Sequence, residues 1–399
     1  MEKNKIELLA PADTLEKVKW AFYYGADAVY LGGQDYSLRA NAENLSVKEI
    51  KEACSYAHKL NKKIYVTVNI VFHNEDIKGL EQYIKELNDA KVDAIILSDP
   101  LVIDIAKKVA PNLNLFLSTQ QNTLNYEACN YWYNEGIKRV ILGREASKEN
   151  IESIIKNSKM NIEIFVQGAM CVGYSGRCML SNYFTNRDSN RGGCSQICRW
   201  NFDLYNKNKK KIKSKQRFSM AVKDLTLLPH IPELIDMGIV SLKVEGRMRS
   251  IYYIATIINV YRKVIDEYYE TGKVEELNKY EKELVRCANR ESAVQYFIKK
   301  PGVNEQYYSN DDLSSNKDFL GVVLDYDKKN KEIILEQRNY FKVGDIINIF
   351  GPGIKDFDVK VEYIKNANGI IDIARHPKEI IRIPCNIEVK KDYILRVKF

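Results

Sequence analysis

Lys63-Ile-Tyr-Val-Thr-Val-Asn-Ile70 is a short run of β-branched and aromatic residues with amphipathic stretches on both sides, and it reads as a strand. Seven runs of the same kind accompany it: Glu7–Ala10, Ala28–Gly32, Ala94–Ser98, Leu115–Ser118, Arg139–Gly143, Ile162–Val166 and Val240–Glu245. Helix starts between them support the pattern. Asp13-Thr-Leu-Glu16 and Ser46-Val-Lys-Glu49 have the form of capping boxes, and Gly25 is placed to close the first helix. Eight strands alternating with helices predict an α/β fold, a (β/α)8 TIM-like barrel, with a doubly wound open sheet as the alternative.

The strand starts carry a second message. The first seven lie 21 to 35 residues apart, but the seventh and eighth are separated by 78, which leaves about 50 residues inserted after strand seven. An insertion there emerges at the carboxyl ends of the strands, where barrel enzymes place their chemistry. Between Cys171 and Arg217 this segment has five Arg, six Lys and only two Asp, a net charge of +9 against +8 for the whole chain. Such a focused positive field attracts a polyanion, and nucleic acid is the usual one; a solvated lysine-rich loop is the plainer reading. Arg187, Arg191, Arg199, Lys209, Lys210 and Lys211 are the candidate nucleic-acid contacts.

Four of the eight cysteines also fall in the insertion: Cys171, Cys178, Cys194 and Cys198, spaced C-x6-C-x15-C-x3-C. Clustered thiols in a reducing compartment bind metal or do redox chemistry more often than they form disulfides. Spacing alone leaves an iron–sulfur cluster, a zinc site and unrelated buried thiols open. Cys54 and Cys129 lie in helical patterns as packing groups.

Other polar groups are expected at the same end of the barrel. Arg39 and Asn41 follow strand two, His73 follows strand three, and Arg144 with Glu145 follows strand six. Lys243, Glu245 and Arg247 come from strand eight, where alternation lets Lys243 and Glu245 share a face. Arg39, Asn41, Arg144 and Arg247 are candidate substrate-binding groups, since a guanidinium offers a fork to a carboxylate or phosphate. Lys243, Glu245 and His73 are the candidate catalytic groups.

The chain of 399 residues has room for two domains: a barrel over residues 1–310, with the cysteine insertion at 168–217, and a second domain over 318–399. In the second, short alternating runs such as Gly321–Asp325, Glu332–Gln337, Asp345–Phe350 and Ile380–Ile383 predict a small all-β barrel. No apolar run reaches the roughly 18–20 residues of a membrane-spanning helix, and Met1–Asp13 lacks a secretory pattern. A cytoplasmic protein without a membrane partner is expected. Phosphate-loop, dinucleotide-fold and zinc-protease signatures are missing.

The run Glu163-Ile-Phe-Val-Gln-Gly-Ala-Met-Cys171, continued by Val-Gly-Tyr-Ser-Gly-Arg-Cys178-Met-Leu-Ser181, resembles the peptidase U-32, or collagenase-like peptidase, family. So do Leu9-Ala-Pro-Ala12, Gly25-Ala-Asp-Ala-Val-Tyr-Leu-Gly-Gly33, Leu38-Arg-Ala-Asn41, Leu117-Ser-Thr-Gln120 and Ser241-Leu-Lys-Val-Glu-Gly-Arg247. Val343-Gly-Asp345 and Gly351-Pro-Gly353 extend the resemblance into the second domain. The layout is most similar to the family's tRNA-hydroxylation branch.

That resemblance implies an oxygen-independent hydroxylation of wobble uridine to 5-hydroxyuridine in tRNA, with prephenate as co-substrate. It implies a 4Fe-4S cluster on Cys171, Cys178, Cys194 and Cys198, and it allows a companion subunit of the same family. A ribosomal RNA cytidine, a collagenase-like peptidase and a non-enzymatic RNA scaffold are the competing expectations. The sequence departs from the family pattern at Gln167, where His is usual, at Asp13, where Gly is usual, and at Glu291, where Asn-Arg-Gly is typical.

Overall fold

The computed structural model describes residues 5–38, 43–213, 218–288, 290–308 and 318–398. Strands β1 (Glu7–Pro11), β2 (Ala28–Gly32), β3 (Lys63–Val68), β4 (Ala94–Leu97), β5 (Asn114–Leu117), β6 (Arg139–Ile141) and β7 (Asn161–Gly168) pair in sequence order, all parallel. A three-residue strand, β8 (Asp224–Thr226), adds antiparallel to the end of β7, and β9 (Ser241–Val244) pairs with both β7 and β1. The ring therefore closes as eight parallel strands, with β8 as an extra flap. The open-sheet alternative is excluded.

Each strand is buried because helices cover its outer face and side chains fill its inner one. Part of that inner filling is charged. Arg139 donates to Glu7 at 2.6 Å and to Glu163 at 3.0 Å, Lys243 donates to the other Glu163 oxygen at 3.0 Å, and Tyr65 and Ser241 complete Glu7 at 2.6 and 2.8 Å. Glu163 and Lys243 are buried and Glu7 and Arg139 nearly so, and each charge is tolerated because it is paired.

Helix starts follow the expected chemistry with one shift. Ser46 and Glu49 form the reciprocal capping box. At the first helix the cap is Thr14, which accepts from the Lys17 amide at 3.2 Å, whereas Asp13 pairs with the Lys17 ammonium at 2.6 Å. The cap moves by one residue because Asp13 has a better, charged partner a turn away.

The second domain contains every strand expected of it. Its eight-stranded antiparallel sheet runs from Phe357–Lys360 at one edge to Gly369–Ile371 at the other, curled as a half-barrel. It is wedged against the first domain: Phe350 meets Tyr24 edge-on, Tyr252 stacks on Phe319, and buried Arg396, held by Asp356 of its own domain, binds Glu283 of the first. No helix among the described residues is long and apolar enough to cross a membrane.

Candidate active site

At the carboxyl ends of the strands lies a cavity of about 150 Å3. Its wall includes Cys171, Cys178, Cys194 and Cys198 together with Arg144, Lys243, Glu245 and Arg247. Residues 178 to 198 reach the same space as Cys171 because the inserted segment folds back on itself after β7.

Two glycines allow the turn. Gly168 has φ +113°, and a Cβ there would stand 2.5 Å from the Glu245 carbonyl. Gly176 has φ +69°, and a Cβ there would meet the Gln120 carbonyl at 2.1 Å. Only glycine permits both the left-handed backbone and the approach. Glu145 then holds the loop, accepting from the Ser175 amide at 2.7 Å, its hydroxyl at 3.1 Å and Asn122 at 3.0 Å. Ser189 and Asn190 donate to the Cys178 carbonyl at 2.6 and 3.1 Å, and Ser219 donates to that of Cys198 at 3.2 Å. Side chains thus fix the backbone on which the thiols are carried.

All four thiols are free of disulfide bonds. Among the described residues no three ligating side chains converge on a point that a single metal ion could occupy. A tetrahedral zinc site needs its sulfurs about 3.8 Å apart, from Zn–S bonds of about 2.3 Å. All four cysteines line the one cavity. Burial, and then the charge of Cys171, pushes the Cys198 thiol up to about 11; Arg199 opposes the shift, and Cys194 and Cys178 add to it.

The charged wall is tightly organised. Glu245 accepts from the Tyr30 hydroxyl at 3.1 Å and faces Arg144 at 3.8 Å. Arg144 lies over the Phe165 ring at 4.1 Å and donates to the Ala169 carbonyl at 2.9 Å, next to the cysteine loop. Arg247 donates to Ser37 at 2.9 Å and also to the Leu38 carbonyl. Lys243 stands over the Tyr30 ring at 4.2 Å, and burial lowers its proton affinity against the pull of Glu163.

Several expected residues are elsewhere. His73 is an exposed side chain at the start of a short 3-10 turn, 3.3 Å from Glu75, and does not line the cavity. The chain turns outward after Ile70, so the ring never reaches the barrel mouth. Arg191 is not a free phosphate contact: it clamps Asp76 and the Val71 carbonyl, fastening the insertion to the barrel. Arg199 is half-buried beside Cys198, and Lys211 pairs with Asp203 at 2.8 Å. Arg187, Lys209 and Lys210 are exposed. Arg39 and Asn41 lie outside the described residues.

Gln167 is buried behind the cavity, accepting from the Tyr261 hydroxyl at 3.1 Å, so this departure from the family pattern does not face the thiols. Sequence reasoning missed Tyr30, Glu163, Ser175 and Asp224. Their polar ends meet partners far along the chain, and no local spacing announces that.

Residues 13–307 match peptidase family U32, and residues 315–396 match the U32 C-terminal domain. The tRNA hydroxylation protein P1 of Bacillus subtilis is 46% identical over 98% of this chain and 95% of its own. A 23S rRNA 5-hydroxycytidine synthase of Escherichia coli is 34% identical over 67% of this chain and 40% of its own. A protein named collagenase from Porphyromonas gingivalis is 28% identical over 92% of this chain and 91% of its own. A barrel with a cysteine-bearing insertion after β7, a half-barrel beyond it and matches across both domains lead to one assignment: the chain belongs to peptidase family U32.

Proposed function

We propose that this protein is a tRNA-modifying enzyme that hydroxylates the wobble uridine to 5-hydroxyuridine, using a hydroxyl group derived from prephenate and a 4Fe-4S cluster. The observation that carries the reading is the shared cavity, in which four thiols and the charged ends of β9 face one another. The U32 relatives named for RNA hydroxylation support the same chemistry.

The rim suits a nucleic acid. Residues 204–212 form a hairpin, closed by bonds from Asn206 to the Lys210 carbonyl at 2.9 Å and from Ile212 to the Leu204 carbonyl at 2.8 Å. Its tip exposes Lys207, Lys209 and Lys210. Nearby in the chain, Tyr183 (83% exposed), Phe184, Trp200 and Tyr205 are exposed. Cations for phosphates beside aromatic faces for unstacked bases are the combination that single-stranded RNA requires. An anticodon base would have to leave its stack to reach the cavity.

Cys171, Cys178, Cys194 and Cys198 would hold the cluster, since they are a soft, four-fold donor set lining one cavity. When bound, such a cluster supplies one-electron chemistry. The chain's own groups do the rest. Arg247 and Arg144 present guanidiniums to the carboxylates of the co-substrate, and Tyr30 and Arg144 orient Glu245 as the acid–base group. Lys243 provides a positive charge, or a proton, at the cavity floor. A Cys–His peptidase would need an imidazole base beside a thiol, and the described residues lining this cavity include no histidine. A companion subunit of the same family is part of the proposal, and co-purification would reveal it.

Nucleoside mass spectrometry of bulk tRNA and ribosomal RNA, with and without the gene, tests the function. The expected result is loss of 5-hydroxyuridine derivatives from tRNA, restored by the wild type and not by Cys171→Ala. Loss of hydroxycytidine from ribosomal RNA instead would transfer the assignment to that substrate. An unchanged profile in a strain without a second family member would overturn both.

A further inference from the structure

Beside the cysteine loop, two guanidiniums contact one buried carboxylate and the charge of a third reaches it. Asp224, the first residue of β8, has Arg290 Nη2 2.8 Å from Oδ1 and Arg249 Nη2 3.4 Å from Oδ2. Arg199, directly after Cys198, adds a third guanidinium whose charge is felt by Asp224, Cys198 and Arg290. Asp224 and Arg290 are almost entirely shielded from water, and Arg249 is fixed over the Tyr253 ring at 5.0 Å. The backbone is fixed too: β8 pairs with Gln167 and Gly168, just before Cys171.

The balance of charge is uneven. Among the described residues three positive groups face one negative one, and Arg144, the next guanidinium, is already matched by Glu245. Arg290 is shielded from water and Arg249 and Arg199 only in part, so an anion beside the group is favoured. The neighbouring groups able to supply that anion are the four thiols, and a four-thiolate cluster is negative in both its oxidised and its reduced state. Adding an electron makes it more negative, so a fixed positive field favours reduction.

We propose that Asp224, Arg199, Arg249 and Arg290 are positioning residues that set the reduction potential of the cluster, the arginines raising it and Asp224 both seating them and moderating their effect. The inference rests on the cluster reading above. It assigns a task to residues outside the cavity lining, and it explains why the chain buries a carboxylate that the cavity does not use.

The test is an anaerobic dithionite titration of the reconstituted full chain, followed by visible absorption and electron paramagnetic resonance, with iron and sulfide counted per chain. Arg290→Gln and Arg199→Gln are expected to shift the midpoint to more negative values at unchanged iron content. Asp224→Asn is expected to shift it to more positive values, and Arg199→Lys, which keeps the charge, to leave it near the wild type. Opposite signs are the diagnostic result, because a loosened or wetter site would move every variant the same way. Equal midpoints, or shifts of one sign, at full loading overturn this inference and leave the cluster standing. A wild-type chain that takes up no iron overturns the cluster and this inference together. If Asp224→Asn fails to fold, the contrast between Arg199→Gln and Arg199→Lys decides, as Arg199 is the more exposed partner.

Discussion

Lys243 Nζ lies 3.0 Å from Glu163 Oε1, and neither side chain is open to bulk water. Glu163 also holds Arg139, which it shares with Glu7. Removing the ammonium leaves a buried carboxylate short of one partner. Lys243→Met should therefore cost about 3 kcal/mol of stability, measured by urea unfolding. Lys243→Met combined with Glu163→Leu should recover part of that loss while hydroxylation stays absent in complemented cells. Full recovery of activity in the double variant would show that the lysine serves only the fold.

Arg191 and the hairpin lysines should separate cleanly. Arg191→Ala breaks the Asp76 clamp, a partly exposed pair worth about 1 kcal/mol, so the insertion should become easier to cleave by protease. The salt dependence of RNA binding should not change. Lys209→Ala with Lys210→Ala should do the reverse, lowering the slope of log K against log salt by about 1.5 with the melting temperature unaltered. Identical slopes would remove the hairpin from the RNA interface.

Gly176→Ala should displace the cysteine loop. The new methyl group would collide with the Gln120 carbonyl, and the left-handed backbone adds a cost of about 1–2 kcal/mol. Reconstitution should yield less iron per chain. Gly272→Ala is the control: its φ of +76° is just as unusual, but nothing lies within 4 Å, so stability should fall slightly and iron loading should hold.

In the metal-free protein, Cys198 should alkylate later than a peptide thiol as pH is raised, because the thiolate is the reactive form and burial holds the thiol up to about 11. The fold then binds the proton more tightly than the unfolded chain does. The stability this contributes is complete below pH 9.0 and is lost as pH rises towards 11. Peptide mapping after timed iodoacetamide labelling measures the first effect, and urea unfolding across the same range measures the second.

The strands were legible because each buries a continuous apolar run, and the site was legible because a single gap in their spacing coincided with charge and thiols. Lys243 and Glu245 were paired by alternation, although β9 ends at Val244 and Glu245 and Arg247 lie just beyond it; all three line the cavity. What stayed hidden depends on partners distant in sequence. Arg191 reads as a phosphate contact until Asp76, 115 residues earlier, is seen to bind it. His73 reads as a barrel-mouth base until the chain is seen to turn away after β3. Glu163 and Tyr30 are interior residues of strands, and only closure of the ring shows that their polar ends point inward.

The paired charges of Glu7, Arg139, Glu163 and Lys243 also stopper the barrel from below. The cavity lies above these pairs, with Lys243 and the four cysteines in its lining. On the proposed reaction, a small acid that sits on the floor must arrive before the RNA closes the entrance, and its remnant can leave only after the RNA has gone. The proposed reaction then predicts an ordered binding sequence, with exchange through the cavity mouth as a limit on turnover.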